Sequence, residues 1–411
     1  MSKLDELIAK FCPNGVEYKS LGEIATISRG GNFQKKDFCD SGVPCIHYGQ
    51  IYTKYGLFAD ETIMFITEEC AKKQKFAKTN DIVMAVTSEN IEDVCKCLAW
   101  LGNEDVAVSG HSAIISHNQN PKYLVYYFHS QMFFAQKRKL AHGTKVIEVT
   151  PDTLKNIKLP VPPLEVQCEI VHILDNFTEL TAELTTELTA ELTARKQQYE
   201  FYRDYLLNGN SNYDICNLGD VCDVVAGGTP SRKESDYWED GCIPWLGSTV
   251  CKNKKSVDEP TEFITELGLE KSSAKMMKKD TTLIALVGAT IGKVAFTTFD
   301  AAINQNIAGI YPKDTSKINP SYIYYACTTL YPHFLNLTQG SKLAMANLTF
   351  VRGLKISVPP IDVQNRLVNV LDNFESITSD LSIGLPAEIE ARKKQYEYYR
   401  DKLLSFKELP K

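Results

Sequence analysis

Residues 164–207 read LEVQCEIVHILDNFTELTAELTTELTAELTARKQQYEFYRDYLL, a run without glycine or proline that follows Pro162-Pro163. Its middle repeats every four residues: Leu180, Leu184, Leu188 and Leu192 each follow a glutamate. Positions four apart share one face of an α-helix, so these leucines form a slowly drifting apolar stripe. At 1.5 Å per residue an unbroken helix over this stretch is roughly 65 Å long. Average helices have three or four turns. So long a helix needs something packed along it, and it separates whatever lies at its ends.

The chain has 411 residues, 44 % apolar and 23 % charged, as in an ordinary globular protein of two or three domains. No run approaches the 18 apolar residues of a membrane span, and the start, MSKLDELIAKFCPNGVEY, lacks a signal-type apolar core. A cytoplasmic protein is expected. The twelve cysteines include no C-x-x-C; the closest pair is Cys95 and Cys97. They read as bare thiols in a reducing compartment rather than as a metal or disulfide framework. The net charge is −6. Residues 164–207 hold nine acids against three bases, so they account for all of it and the remainder sums to zero. An acidic total therefore leaves room for local basic loops that touch phosphates, and it makes the long helix a poor nucleic-acid face.

The chain is written twice, with a period of 197 residues. Leu21-Gly22 recurs as Leu218-Gly219, Gly30-Gly31 as Gly227-Gly228, and Gly143-Thr144-Lys145 as Gly340-Ser341-Lys342. Pro162-Pro163-Leu164-Glu165-Val166-Gln167 recurs as Pro359-Pro360-Ile361-Asp362-Val363-Gln364. RKQQYEFYRDYLL from Arg195 matches RKKQYEYYRDKLL from Arg392 at ten of thirteen positions. The helical segments are nearly identical between copies, whereas the globular parts keep only a skeleton. Two copies that share a scaffold and differ in what they present suit two units that each read something different.

Taken in order, residues 3–11 read as a short helix before Pro13-Asn14-Gly15, and 18–27 as extended. Residues 28–32 read as a turn in which Gly30 and Gly31 supply positive φ. Strands are expected at 43–48, 82–86 and 106–115, and one aromatic-rich helix at 121–140. The second copy repeats this, with strands over 216–310 and a helix over 320–335. The fold class is α+β, with mixed, mostly antiparallel sheets in each globular part. The boundaries are a first globular domain at 1–160, a central long helix at 161–208, a second globular domain at 209–357 and a C-terminal helical region at 358–411. In the second helical region Gly384 and Pro386 replace Glu187 and Thr189. A proline inside a helix removes a hydrogen bond and clashes with the preceding turn. A break at 383–386 is expected, leaving helices at 361–382 and 387–406.

Two stretches resemble catalytic motifs and are rejected. Asn319-Pro320-Ser321-Tyr322 resembles the NPPY of amino-methyltransferases, but its second proline is serine and no Gly-rich cofactor fingerprint accompanies it. The equivalent Asn120-Pro121-Lys122-Tyr123 also precedes an aromatic run, so both read as helix N-termini with proline in the first turn. Gly288-Ala289-Thr290-Ile291-Gly292-Lys293 is one residue short of a Walker A loop and lacks the following Ser/Thr, so it reads as a turn between strands. The seven histidines form no H-E-x-x-H, and neither a nucleophile elbow nor a supported carboxylate pair is found. No catalytic residue is assigned.

Two divergent globular repeats, each closed by a near-identical long helix, resemble the specificity (S) subunit of type I restriction–modification systems. The tetrapeptides Thr181-Ala182-Glu183-Leu184, Thr185-Thr186-Glu187-Leu188 and Thr189-Ala190-Glu191-Leu192 resemble the TAEL repeats of the family's IC-like members, and the RKxQYExYRDxLL endings are similarly characteristic. The resemblance covers the whole chain. It implies two pseudo-symmetric target recognition domains separated by two long antiparallel helices, a coiled-coil spacer. Each domain would read one half of a bipartite double-stranded DNA target. The helices would set the gap and dock two modification (M) subunits, joined in some complexes by restriction (R) subunits. It also implies that this chain binds no cofactor or metal itself, with S-adenosylmethionine, ATP and magnesium on the partners, and that it is not an enzyme.

Loops rich in Arg, Lys, Asn, Gln, Ser and Thr are the DNA-binding candidates, since these side chains meet phosphates and base edges. In the first domain they are Arg29, Asn32, Gln34, Lys35 and Lys36, then Ser88 and Asn90, then His142, Thr144 and Lys145. In the second they are Thr229, Ser231, Arg232 and Lys233, then Ser248, Thr249 and Lys252, then Gln339, Ser341 and Lys342. Leu180, Leu184, Leu188 and Leu192, with Tyr199, Tyr202, Tyr396 and Tyr399, are candidates for helix pairing or partner contact. Two other readings compete. A self-sufficient DNA methyltransferase or nuclease would need a cofactor motif that the chain lacks. A coiled-coil scaffold that never binds DNA would leave two divergent globular repeats without a purpose.

Overall fold

The computed structural model describes residues 2–208, 213–338, 345–379 and 384–410. The chain forms two compact units, Met1–Glu187 with Ile389–Lys411, and Leu188–Glu388. The first unit therefore takes its last part from the far end of the sequence.

Two five-stranded sheets build the first unit. One has the order Ala25–Arg29, Ser112–His117, Ile82–Ala85, Cys97–Trp100, Phe58–Ala59; the other Phe38–Cys39, Met64–Ile66, Val43–Ile46, Val106–Val108, Lys75–Ala77. The apolar run Ile82-Val83-Met84-Ala85 is buried throughout because its strand is covered on both faces. Val83 and Ala85 face the second sheet with Leu98, Trp100 and Val108, while Ile82 and Met84 face the helices. The second unit repeats the plan: Leu283 and Ala285 point one way from the Thr282–Ala285 strand and Ile284 the other. Most strand pairs are antiparallel, but each unit has two parallel pairs: Val106–Val108 with Val43–Ile46 and Cys97–Trp100 with Phe58–Ala59 in the first, Ile243–Leu246 with Ala301–Ile303 and Lys254–Val257 with Val294–Thr297 in the second.

Several elements are shorter than the sequence suggests. The expected strand at 106–115 is two strands, Val106–Val108 and Ser112–His117, divided at Ser109–His111. The expected helix at 121–140 is two helices, Pro121–Phe128 and Gln131–Leu140. The Ser130 hydroxyl accepts the Phe133 N–H and restarts the helix as an N-cap. The helix expected at 320–335 divides likewise into Pro320–Thr328 and Tyr331–Thr338. Ser28 and Arg29 belong to a strand rather than a turn, and Gly30 and Gly31 are not among the positive-φ glycines. The pair is needed for close approach: a Cβ would lie 2.2 Å from the Ser109 oxygen at Gly30 and 2.2 Å from Gln74 Oε1 at Gly31. Gly227 and Gly228 meet Ile303 and Ser273 in the same way.

The asparagines of the two Asn-Pro motifs are N-caps: Asn120 Oδ1 accepts the Lys122 and Tyr123 N–H groups, and Asn319 Oδ1 the Ser321 N–H. The helices they open are held by tyrosine hydroxyls. Tyr123 donates to the Pro160 carbonyl at 3.0 Å, Tyr127 to the Lys158 carbonyl at 2.7 Å, and Tyr322 to the Ser357 carbonyl at 2.7 Å.

The long helix runs unbroken from Leu164 to Asn208, 45 residues. Gln167 and Gln364 lie fully buried in the first turn of their helices. Gln167 Nε2 donates to the Pro162 carbonyl at 2.7 Å and to Gln119 Oε1 at 2.8 Å, while its Oε1 accepts the Asn120 N–H at 3.0 Å. Gln364 repeats this with the Pro359 and Lys317 carbonyls at 2.7 and 3.0 Å and the Asn319 N–H at 2.9 Å. Three segments of each copy meet on one amide. In the second helical region helices Ile361–Ser379 and Leu385–Leu403 are formed and Gly384 lies outside both; residues 380–383, where the expected break begins, fall outside the described residues. Pro386 occupies the first turn of the later helix, where no N–H is needed.

In the first unit the central helix pairs with the C-terminal one. Phe177 packs on Tyr399 with ring centroids 6.2 Å apart, and the Thr178 and Tyr396 hydroxyls are 2.9 Å apart. The tail then returns to the start of the chain: the Val16 N–H donates to the Lys407 carbonyl at 2.8 Å, and the Leu409 N–H to the Val16 carbonyl at 3.0 Å. Gly15, at φ +121°, permits this, since a Cβ there would lie 2.6 Å from the Lys407 oxygen.

Equivalent positions anchor each helix differently. In the first unit Tyr126 donates to Asp175 at 2.8 Å and Lys122 pairs with the same carboxylate at 2.6 Å. In the second, Tyr325 donates to Asp372 and to Glu375, at 3.1 Å for the latter, and Lys255 pairs with Asp372. Glu375 stands where the first copy has Thr178, so the second unit half-buries a second carboxylate.

Replacing Gln167 by leucine strips a buried N–H and a buried carbonyl of their partner. Chemical denaturation should show a loss of about 2–4 kcal/mol. Burial pushes the Glu375 carboxyl above the usual carboxylate range, against the opposing pull of Lys255 and Tyr325. The native state thus keeps this proton to higher pH than the unfolded chain. The stability so gained is fully present at low pH and is lost as pH rises through the native value. Glu375→Gln should gain stability relative to the natural chain as pH is raised from about 4 to 7, which thermal melts across that range will show.

Candidate nucleic-acid interface

In the first unit the strand ends and connecting turns gather several candidate residues around one open cleft of about 820 Å³. Arg29 ends its strand. Its Nε donates to the Gly110 carbonyl at 2.8 Å and its Nη2 pairs with Glu148 at 2.9 Å. Asn32 and Gln34 are exposed, and Lys35 and Lys36 stand on the turn Lys35–Asp37. The Gln34 N–H donates to Asp37 Oδ2 at 2.8 Å, which fixes that turn.

Four further cleft residues escaped the sequence reading: His47, Lys73, Lys75 and His111. They come from separate segments that the pairing of Val106–Val108 with Val43–Ile46 on one side and Lys75–Ala77 on the other brings together. The isolated histidines carry no local pattern; the run Lys72-Lys73-Gln74-Lys75 is a basic cluster that could have marked the two lysines. Tyr48 lies between the two imidazoles, with ring centroids 4.5 Å from His47 and 4.9 Å from His111. His47 Nδ1 accepts the Gly49 N–H at 3.2 Å, which leaves Nε2 as its donor. Burial, with Lys35 and His111 nearby, lowers its pKa and favours the neutral ring. No carboxylate lines this cleft among the described residues.

The other first-unit candidates form an adjoining loop pair. Ile147–Glu148 pairs with Thr87–Ser88, and His142 exchanges backbone hydrogen bonds with Glu148 at 3.0 and 2.9 Å. Gly143 takes φ +107° at the tip, and Thr144 and Lys145 are exposed beside it. Asn90 Nδ2 donates to Asp93 at 2.8 Å. The Arg29–Glu148 ion pair ties this loop pair to the cleft.

In the second unit the candidates are differently engaged. Thr229 donates to Gln305 Oε1 at 2.7 Å. The Ser231 carbonyl accepts the Trp238 Nε1–H at 3.1 Å. Arg232 makes a two-pronged pair with Glu262 at 2.5 and 2.8 Å, and its guanidinium lies 3.7 Å from the Trp238 ring centroid. The fork keeps the Glu262 carboxyl below the usual carboxylate range. Lys233, Thr249 and Lys252 are exposed, and Ser248 is half-buried on the turn Ser248–Val250. Gln339, Ser341 and Lys342 lie outside the described residues. Gly288–Thr290 forms a turn between the paired strands Thr282–Ala285 and Val294–Thr297, with Gly288 and Gly292 at positive φ, and is no phosphate loop opening a helix.

Along the helices, Tyr199 and Tyr202 each pack on Phe374 at 6.5 Å. Leu184, Leu188 and Leu192 are half-buried, whereas Leu180 is 60 % exposed. No helix is long and apolar enough to cross a membrane among the described residues, and no three His, Cys, Asp or Glu side chains converge there as a metal would require.

Known proteins align with both copies. The model of the type I restriction modification DNA specificity domain matches residues 13–194 and again 210–391. The specificity subunit of the Escherichia coli type I restriction enzyme EcoR124I/EcoR124II is 37 % identical over 263 residues, which is 61 % of this chain and 63 % of that protein's length. By fold, 95 % of this chain superposes on 98 % of a chain from a type I restriction–modification complex, with a TM-score of 0.73 and 18 % identity. The HsdS subunit of Thermoanaerobacter tengcongensis aligns over 96 % of this chain and 97 % of its own, with a TM-score of 0.58 and 18 % identity. With the specificity domain present twice and spanning nearly all of its length, this chain belongs to the family of type I restriction–modification specificity subunits.

Proposed function

We propose that this chain is the DNA-reading subunit of a type I restriction–modification complex, and that it carries out no chemistry itself. The carboxylate-free cleft of the first unit is the observation that carries this reading. Residues 1–160 and 209–357 are the target recognition domains, and 161–208 and 358–411 the helical regions between and after them. Each recognition domain reads one half of a bipartite double-stranded target. In the first, Arg29, Asn32, Gln34, Lys35, Lys36, Thr144 and Lys145 make the contacts, joined by the cleft lysines Lys73 and Lys75. In the second, Thr229, Ser231, Lys233, Ser248, Thr249, Lys252, Ser341 and Lys342 do so, with Arg232 holding their turn through Glu262. Methylation of adenine with S-adenosylmethionine, and cleavage with ATP and magnesium, belong to M and R partners. The cell interior is where such a complex meets its DNA.

The helices carry a matched pair of apolar patches, which supports two copies of one M partner. In the first unit Leu180, Tyr398 and Tyr399 are 60, 61 and 41 % exposed. Their equivalents 197 residues away, Ile377, Phe201 and Tyr202, are 49, 65 and 42 % exposed in the second. Large aromatics left in water on both copies suit a partner that covers them.

Methylome sequencing of a host expressing this chain with its M partner should give one bipartite motif of two short half-sites and a fixed gap. A contiguous motif, or methylation by this chain without the partner, overturns the reading. One tetrapeptide adds about 6 Å of helix, and base pairs are about 3.4 Å apart. Deleting 185–188 should therefore change the gap by one or two base pairs and leave both half-sites unchanged. Phe201→Asp should lower the number of bound M subunits from two to one, and Phe201→Asp with Tyr398→Asp should abolish binding, as native mass spectrometry of the complex will show.

A further inference from the structure

We propose that the two recognition units grip DNA by unequal electrostatics: the first neutralises phosphates through its cationic cleft and dominates the salt dependence, whereas the second, with fewer unpaired cations at the equivalent positions, reads its half-site more through amides and hydroxyls. This rests on the DNA-reading role proposed above and says how that role divides between the two copies.

The division follows from comparing equivalent positions. In the first unit Lys35, Lys36, Lys73 and Lys75 rim one cleft, all exposed, and none of them forms an ion pair among the described residues. The second unit keeps the same strands and replaces part of the charge. The Lys75–Ala77 strand, antiparallel to Val106–Val108, corresponds to Lys275–Met277, antiparallel to Ala301–Ile303. Lys275 is therefore retained, but Ser273 stands in place of Lys73. Gly247 replaces His47, since the Ser109 and Asn304 N–H groups bond the equivalent carbonyls of Ile46 and Leu246. Asn306 replaces His111, and Ala226 replaces Arg29 at the end of its strand. In the turn that follows Gly227-Gly228, as Lys35 and Lys36 follow Gly30-Gly31, Lys233 is retained but Arg232 spends its charge on Glu262. That turn also continues into an acidic stretch: residues 231–240 hold two bases against four acids, whereas 32–40 hold two of each.

Beside its remaining lysines, the second unit offers neutral hydrogen-bonding groups where the first has charges. Thr229 is joined to Gln305, and Asn304 Oδ1 accepts the Asn306 N–H at 3.0 Å, so its amides are held in fixed orientations beside Ser248 and Thr249. Such groups recognise base edges and contribute little to counterion release, while each lysine set against a phosphate does contribute to it. The first unit's field also reaches across about a Debye length, so it captures DNA before its partner unit engages.

The test uses the full-length chain and a fluorescent random-sequence duplex of about 30 base pairs, with affinity measured by anisotropy between about 50 and 200 mM KCl. Lys73→Gln with Lys75→Gln should lower the slope of log affinity against log salt by about 2, at about 0.9 per lost phosphate contact. Lys73→Arg with Lys75→Arg should leave the slope as in the natural chain, which separates charge from folding. Lys233→Gln with Lys275→Gln should change the slope by less than about half of that amount. Equal losses from the two pairs, or no loss from the first, overturn the proposal while DNA binding stands. A natural chain that does not bind the duplex at the lowest salt overturns the DNA-reading role itself.

Discussion

One buried amide per copy holds each recognition unit to its helix. Gln167 and Gln364 satisfy, from the first turn of a long helix, a proline carbonyl before that helix and the N–H that opens an aromatic helix 47 or 45 residues earlier. A buried amide left without these partners would cost more than the bonds return in water, so the three segments either meet together or not at all. This explains why Pro-Pro-x-x-Val-Gln survives in both copies while the surrounding globular sequence has drifted. The buried strands need only stay apolar; the latch needs particular atoms.

The division of labour along the chain is electrostatic. The net acidic charge resides on the long helix, and basic residues of the first unit collect where strand ends converge. The two copies illustrate how one scaffold accepts different surfaces. The same pair of glycines lets two strands approach in each, whereas the residues around them change from lysine and imidazole to serine, amide and glycine.

Much of the architecture was legible because it is written in periodicity and repetition. The tetrapeptide leucines and the absence of glycine and proline specify the 45-residue helix, and Gly384 with Pro386 stand at the start of the last helix of the second copy. The divided aromatic helices were not legible, because Ser130 within an otherwise helical run acts as a cap only once its hydroxyl meets the Phe133 N–H. The site was half legible. Arg29 through Lys36 stand together in sequence and remain together in space. Lys73, Lys75, His47 and His111 join them only through strand pairing, which no local pattern encodes. Arg232 was visible as a basic loop residue, but its acidic partner lies thirty residues onward.

The return of the chain's end to its beginning bears on how the protein is made. Val16 closes on Lys407 and Leu409, and the Tyr18 hydroxyl on the Phe406 carbonyl at 3.0 Å. On a ribosome the whole of the second unit is made between these partners. The second unit, a continuous stretch from Leu188 to Glu388, has all its residues before the first unit has its last ones. The part synthesised first is thus the part completed last. A message cut short near its end yields a chain with one finished unit and one whose core lacks Leu404. Such a chain exposes apolar surface to chaperones and proteases, so quality control can remove it before it competes for a partner.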